Sequence, residues 1–216
     1  MTMMTSMKAT SSLRGLAAAA VIALVPMAAS AATIITSVPM TPQQLGEVTS
    51  QPNPLFDVVS GAVLENTEDS VTGLKRSPFD TADPDPNNNA EEGLYTSVGG
   101  GAYGIFNFDV VQVAMSMIWG SPDTYNTLTL SLGGNPVETI IPGSTAGAPD
   151  APQLGAWWFT VTDIRFDSVK FESTTNAFEF ANFTTTPIPL PAAGWLLLGG
   201  LGALGAVARR KRRKAA

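Results

Sequence analysis

The chain has 216 residues with no cysteine and no histidine, which excludes disulfides, Ser-His-Asp and Cys-His catalysis, and histidine-ligated zinc. Its formal net charge is −6, but residues 32–186 hold all 18 acidic side chains against four cations, a net charge of −14 for that part. Such a charge repels nucleic acid and anionic polysaccharide unless cations intervene, so we predict no nucleic-acid partner.

The N-terminus has the three parts of a secretory signal peptide. Two cations, Lys8 and Arg14, precede an apolar run, and Ala29 and Ala31 form an Ala-x-Ala cleavage pattern. We therefore predict that residues 1–31 are removed on export. An uncleaved N-terminal anchor is the alternative, but the apolar run is short and small residues follow it.

Residues 32–186 are predicted to form one all-β domain. Short segments with β-branched and alternating apolar residues recur between Gly- and Pro-rich turns, and no long amphipathic helix interrupts them. The predicted strands cover residues 33–38, 55–64, 95–98, 103–119, 127–132, 137–141, 157–161, 164–172 and 177–183. This spacing predicts a β-sandwich, in the specific form of a jelly roll with about eight strands.

Irregular segments are also predicted within this domain. Residues 39–54 contain four prolines and predict coil, and residues 65–89 predict a long loop. The alternation changes phase within residues 103–119, which predicts a bulge or two separate strands. A kink is predicted near Ser168 in the strand 164–172.

The most distinctive internal segment is Trp119-Gly120-Ser121-Pro122-Asp123-Thr124-Tyr125-Asn126. Glycine and proline suit a tight turn, and the Asp and Asn side chains can hydrogen-bond the backbone. A purely structural role therefore explains every position of the segment.

Asp80, Asp83 and Asp85 lie in a stretch that is dense in oxygen ligands, the kind that calcium prefers. The spacing begins like an EF-hand loop, but Asn88 and Leu94 occupy the positions that require glycine and a bidentate glutamate. A solvated acidic loop without metal explains the same residues. We predict no cofactor, with calcium at this loop as the possibility to test.

Four aromatic residues, Trp119, Tyr125, Trp157 and Trp158, are candidates for stacking on sugar rings. Adjacent residues of a strand point to opposite faces, so one tryptophan is expected in the core and the other is exposed or covered by a loop. Burial of all these rings in the core is the structural alternative.

The C-terminal region has three parts in order. A Pro-rich motif is followed by 17 residues without charge, 192–208, which as a helix extend about 25 Å and suit a short transmembrane span. Six consecutive cations, 209–214, then predict that the bulk of the chain lies outside the cytoplasm. The motif, within residues 187–195, contains Ile188, Pro189, Leu190, Pro191, Ala192, Gly194 and Trp195.

This arrangement resembles the VPLPA-CTERM variant of the PEP-CTERM sorting signals over residues 187–214, with Ile188 in place of the usual valine. The segments 120–126 and 176–182 also resemble stretches of exosortase-dependent surface proteins. The resemblance implies a partner, an exosortase-type membrane protease that cuts near Pro189–Ala192, and an association with exopolysaccharide production.

We therefore expect an exported protein, first held in the inner membrane with its ectodomain outside and then placed at the cell surface or in the extracellular matrix. The expected role is structural or adhesive within exopolysaccharide. A carbohydrate-binding module, with calcium as an ion that could assist binding, is the alternative. No pair of carboxylates lies in a recognisable catalytic motif, so we predict that the protein is not an enzyme.

Overall fold

The computed structural model describes residues 32–68, 70–71, 74–80, 93–151, 155–189 and 199–202. These residues form an almost entirely β structure, so the predicted all-β class is confirmed. The elements are β1 Ile34–Pro39, α1 Pro42–Glu47, β2 Val58–Ser60, β3 Val63–Thr67, β4 Tyr95–Val98, β5 Ala102–Gly120, β6 Asn126–Leu132, β7 Asn135–Ile140, β8 Ala156–Ser173 and β9 Phe178–Pro187.

All strand pairings are antiparallel, in the order β3-β4-β9-β5-β8-β6-β7, with β1 added to β8 and β2 added to β5. The long strands β5 and β8 pair along most of their lengths but have different neighbours at their two ends. Residues 102–107 of β5 and 168–173 of β8 adjoin β2, β6 and, beyond β6, β7, which we call the β6 half. Residues 112–120 and 156–166 adjoin β1, β9 and, beyond β9, β4 and β3, which we call the β9 half.

A double irregularity separates these halves. The register of β5 against β8 shifts between Asn107 and Gln112 and again between Gln112 and Ala114. On β8 the same region contains Asp163, whose φ of 58° is a left-handed conformation. Of the two alternatives predicted for residues 103–119, the structure has a bulge within one strand. The kink predicted near Ser168 adjoins this irregularity, because the regular pairing of β8 with β5 breaks between Ser168 and Phe166.

The main core lies between the inner faces of the two halves. Phe171 of the β6 half stacks on Phe180 of β9 with ring centroids 4.2 Å apart. Phe106, also of the β6 half, stacks on Phe183 of β9 at 4.8 Å. Because these rings are buried, each contributes roughly 1.5–3 kcal/mol of hydrophobic stabilisation, and together they hold the two halves face to face.

A second, smaller apolar cluster lies on the outer face of the β9 half, where Leu45 of α1 contacts it. The prediction of coil for residues 39–54 is wrong here, because α1 forms within it. Thr41 caps the helix: its Oγ1 accepts from the Gln44 N–H at 3.2 Å, and Gln44 Oε1 accepts from the Thr41 N–H at 2.8 Å. Burial of Leu45 then stabilises a helix that is too short to be stable alone.

Asn53 connects the irregular segment before β2 to two strands. Its side chain is buried, and its Nδ2 donates to Thr96 Oγ1 at 3.0 Å and to the Phe180 carbonyl at 3.2 Å. Its Oδ1 accepts from the Phe183 N–H at 2.9 Å. Between these two β9 residues lies Asn182 with φ 50°, so Asn53 satisfies the backbone groups that an irregularity in β9 leaves unpaired.

Candidate functional site

The candidate site is the outer face of the β9 half, where Trp158 is 40% exposed. Register places Trp158 of β8 between Val38 of β1 and Ile118 of β5. Val38 is 56% exposed, whereas Ile118 is buried beneath the cluster that α1 covers. An indole at the margin of a covered patch offers a flat apolar surface to solvent, the geometry on which a sugar ring can stack.

Trp157 does not belong to this face. It lies across from Trp119 and Pro39 and is half-buried, and alternation along β8 directs it to the same side as the buried Phe159 and Val161. The two tryptophans therefore lie on opposite faces. Of the pair, Trp158 is the one on the outer face and the more exposed. Stacking of a sugar ring on Trp158 stays a prediction.

The opposite end of this outer face is covered and contains a buried acid, Glu179. Its Oε1 accepts a hydrogen bond from the Arg76 N–H at 3.0 Å. Burial raises the pKa of Glu179 to about 8; the Arg76 hydrogen bond and charge oppose this rise, and the charge of Asp123 adds to it. The carboxyl is thus largely protonated at neutral pH, an unusual state for a glutamate.

Tyr125 lies near this acid and not with the tryptophans. Its hydroxyl donates to Asp123 Oδ2, and its backbone carbonyl accepts from the Thr174 N–H at 3.1 Å. Burial, followed by the bond to Asp123, raises the pKa of Tyr125 to about 12. Within the described residues no ring contact joins Tyr125 to either tryptophan, so these three candidates do not form one sugar site.

The turn 120–126 is held by backbone hydrogen bonds, one within the turn and one to Gly155, which supports its structural interpretation. The Ser121 N–H donates to the Gly155 carbonyl at 2.8 Å, and the Asn126 N–H donates to the Asp123 carbonyl at 3.0 Å. The side chain of Asn126 is buried on the inner face, across from Ser173 of β8. The turn therefore joins β5 to β6 and positions Asp123 near Glu179.

Asp80 is the calcium candidate that the structure describes; Asp83 and Asp85 lie outside the described residues. Asp80 is buried, and its Oδ2 is 3.5 Å from Arg76 Nε, a cation that opposes the binding of a second cation. In the described part of the chain no three acidic, histidine or cysteine side chains are grouped so as to hold a metal ion.

The predicted sorting motif begins where the last strand ends. The Ile188 N–H donates to the Val111 carbonyl at 2.9 Å, and Pro189 is exposed. Outside the described residues lie Leu190, Pro191, Ala192, Gly194 and Trp195 of the predicted motif and Ala29 and Ala31 of the predicted signal peptide. Among the residues that are described, no helix is both long and apolar enough to cross a membrane; residues 199–202 are helical and exposed.

The burial of Glu179 could not be expected from its local sequence. Its position between Phe178 and Phe180 predicts a solvent-facing side chain on an alternating strand. The cover comes from residues 76–80, about a hundred positions earlier: Pro78 lies against Gly120, the strand neighbour of Glu179. The alternation Phe-Glu-Phe thus predicts which face of the sheet Glu179 lies on, but it does not predict that this position is buried.

The described residues thus form an antiparallel all-β domain, and the outer face of its β9 half is partly covered and partly exposed. No protein-family model, curated protein or solved structure matches the chain.

Proposed function

We propose that this chain is an exported bacterial surface protein with a β-sandwich ectodomain, residues 32–186, sorted through its C-terminal signal. The facing of the β6 and β9 halves, with Phe171 stacked on Phe180, supports a two-layer sandwich. Strands β5 and β8 are shared by both layers, unlike a jelly roll built from two separate sheets.

The observation that carries this proposal is the position of the sorting motif relative to the fold. Strand β9 ends at Pro187, the Ile188 N–H makes a last bond to β5, and Pro189 is exposed. A protease that cuts between Pro189 and Ala192 would leave every strand pairing intact. This supports a precursor anchored in the inner membrane by residues 192–208 and an ectodomain released or transferred by an exosortase-type protease.

The role we propose is structural or adhesive within exopolysaccharide, without catalysis. A net charge of −14 over residues 32–186 favours strong hydration and disfavours self-association, as suits a protein dispersed in a hydrated matrix. The raised pKa of Glu179 does not by itself indicate catalysis, because the acid is covered by residues 76–80 and bonded to the Arg76 backbone.

The test is mass spectrometry of the protein recovered from producing cells, with and without the exosortase gene. We expect an N-terminus at Ala32 and a C-terminus between Pro189 and Ala192 in cells with the protease, and the uncut C-terminus in cells without it. Pro191→Ala should impair cutting, whereas Pro136→Ala, at an exposed proline of β7, should not. A C-terminus at Ala216 in cells that carry the protease contradicts the proposal.

A carbohydrate-binding module is the second candidate, favoured by the exposure of Trp158. Glycan-array binding with and without a chelator would test both the sugar and the calcium components. Trp158→Ala should weaken glycan binding, and Trp157→Ala should affect it only through stability, because Trp157 faces the inner side.

A further inference from the structure

A straight row of hydroxyl residues crosses four neighbouring strands of the β9 half. Thr36 of β1 lies across from Thr160 of β8, Thr160 across from Ser116 of β5, and Ser116 across from Thr184 of β9. Strands are spaced by about 4.8 Å, so this row extends roughly 14 Å. Trp158 lies two residues from Thr160 on the same strand and therefore on the same outer face.

A parallel row follows on the side away from Trp158. Thr162 of β8 lies between Ile34 of β1 and Ala114 of β5, and Ala114 lies across from Thr186 of β9. The Ile34 side chain is 51% exposed. The open face thus alternates hydroxyl and methyl groups at regular spacing, with the indole along one margin.

These hydroxyls are available to a ligand to different degrees. Ser116 Oγ and Thr184 Oγ1 bond each other at 2.8 Å, and Thr162 Oγ1 donates to Asp163 Oδ2 at 3.4 Å. The hydroxyls of Thr36 and Thr160 have no hydrogen-bond partner among the described residues, and both side chains are at least partly exposed. Each can donate one hydrogen bond and accept others.

The positions of this face differ from the rest of a strongly acidic domain, although the Asp163 carboxylate that accepts from Thr162 lies at one edge and the covered Glu179 lies beyond the row of Trp158. None of the positions in these two rows and the row of Trp158 is ionisable. The outer face of the β6 half differs: Lys170 pairs with Glu172 at 2.8 Å and lies 4.6 Å from the ring of Tyr103. Threonine is common on exposed strands, but strand preference alone does not account for ionisable side chains in the paired rows of one outer face and their absence from three neighbouring rows of the other.

We propose that this uncharged face binds a neutral polysaccharide chain, with sugar hydroxyls on the rows of Thr36 and Thr162 and one ring against Trp158. A hydroxyl-rich, uncharged polymer matches a surface of hydroxyls, methyls and one indole. Nucleic acid and anionic membranes find no cation there, and a second copy would bring together two domains of net charge −14. This inference rests on the proposed function, because it names the polymer with which the protein associates.

The test uses exopolysaccharide purified from the producing cells and separated by anion exchange into neutral and acidic fractions. Full-length protein in a zwitterionic, sugar-free detergent is run in native gels that contain each fraction, and retardation gives the apparent Kd. We expect retardation by the neutral fraction. Loss of two hydroxyls in the double variant Thr36→Val/Thr160→Val should weaken binding about tenfold, as should Trp158→Ala.

The matched control is Thr129→Val, on the charged outer face of the β6 half, which should keep wild-type affinity. Thermal unfolding of each variant checks that the fold is retained. The inference is overturned if the neutral fraction does not retard the wild-type protein, if only the acidic fraction does, or if folded variants of Thr36, Thr160 and Trp158 bind as tightly as the wild type.

Fractionation of the same cells separates this inference from the proposed function. Processed protein outside the cells with no neutral-glycan binding would reject the binding face and leave the sorting proposal intact. Glycan binding by a protein that stays unprocessed inside the cells would support the face and reject the sorting proposal.

Discussion

Glu179 shows how one side chain depends on a distant segment. Its carboxyl lies under residues 76–80 and accepts a hydrogen bond from the N–H of Arg76, which is 103 positions away in the sequence. Burial disfavours the ionised form, and the nearby Asp123 disfavours it further, whereas Arg76 favours it. The folded protein therefore holds a proton there that the unfolded chain releases near pH 4.5.

We expect folding stability to fall with rising pH because of this residue. The raised pKa means that its contribution is complete below about pH 4.5 and is lost progressively up to about pH 8. The slope is at most about 1.4 kcal/mol per pH unit. Urea unfolding of wild type and Glu179→Gln between pH 5 and pH 8 measures it: the variant should show a shallower decline and be more stable at pH 8.

Glu47→Gln is the matched control, because Glu47 is an exposed carboxyl on α1, and it should keep the wild-type pH dependence. Equal slopes for wild type and Glu179→Gln would show that the acid is ionised in the folded state and that the interpretation is wrong.

The candidate residues could be predicted from sequence only where the signal is local. The opposite orientations of Trp157 and Trp158 follow from the period of a strand and need no other information. The covering of Glu179 could not be predicted, because it depends on where residues 76–80 return to the sheet. The hydroxyl row could not be predicted either, because its four residues belong to four strands whose order and register are set by long-range pairing. These residues are Thr36, Thr160, Ser116 and Thr184.

The long strands β5 and β8 are the elements on which the fold depends, since each runs through both halves. The sequence pattern leaves open whether residues 103–119 form one bulged strand or two, and it predicts two strands, 157–161 and 164–172, where the structure has β8. The division was reasonable, because Asp163 is left-handed and interrupts the alternation. Strand existence was therefore predictable from periodicity, whereas continuity through an irregular residue was not.

Gly104 of β5 is required by packing. A Cβ at this position would overlap the ring of Phe56, which itself stacks on Phe106 with centroids 4.3 Å apart. We expect Gly104→Ala to lower the free energy of unfolding by roughly 1–3 kcal/mol, because the ring must move out of its stack. Denaturant unfolding monitored by near-UV circular dichroism would report both the stability and the aromatic packing.

The control is Gly46→Ala in α1, where a Cβ meets nothing within 4 Å. There alanine should stabilise by up to about 1 kcal/mol, because it reduces the backbone entropy lost on helix formation. If both substitutions have the same sign, the close contact with Phe56 is not what constrains Gly104.

At the scale of the whole molecule, unbalanced negative charge opposes folding. With 18 acids against four cations over residues 32–186, mutual repulsion is relieved when the chain expands. Two ion pairs with a nitrogen–oxygen distance of 4.0 Å or less occur among the described residues, which is too few to compensate for the excess.

We expect salt to stabilise the protein at neutral pH. Raising NaCl from about 20 mM to about 200 mM shortens the Debye length several-fold and should raise the Tm at pH 7 by a few degrees, on the order of 2–5 °C. At pH 4, where many carboxyls are protonated, the increment should be smaller. Thermal unfolding at both pH values measures it, and a Tm that falls with salt at pH 7 would contradict this expectation.

The row that contains Ile34 also contains Thr186, so the first strand starts and the last strand finishes on one side of the β9 half. In a domain tethered by the residues after Pro187, the start of β1 would therefore lie on the same side as the tether. The turn 120–126 would lie at the opposite end, about 20 Å along β5 from the row that contains Ile34. A glycan bound along the row of Thr36 would run across the strands, at right angles to β5 and close to the tethered side of the domain.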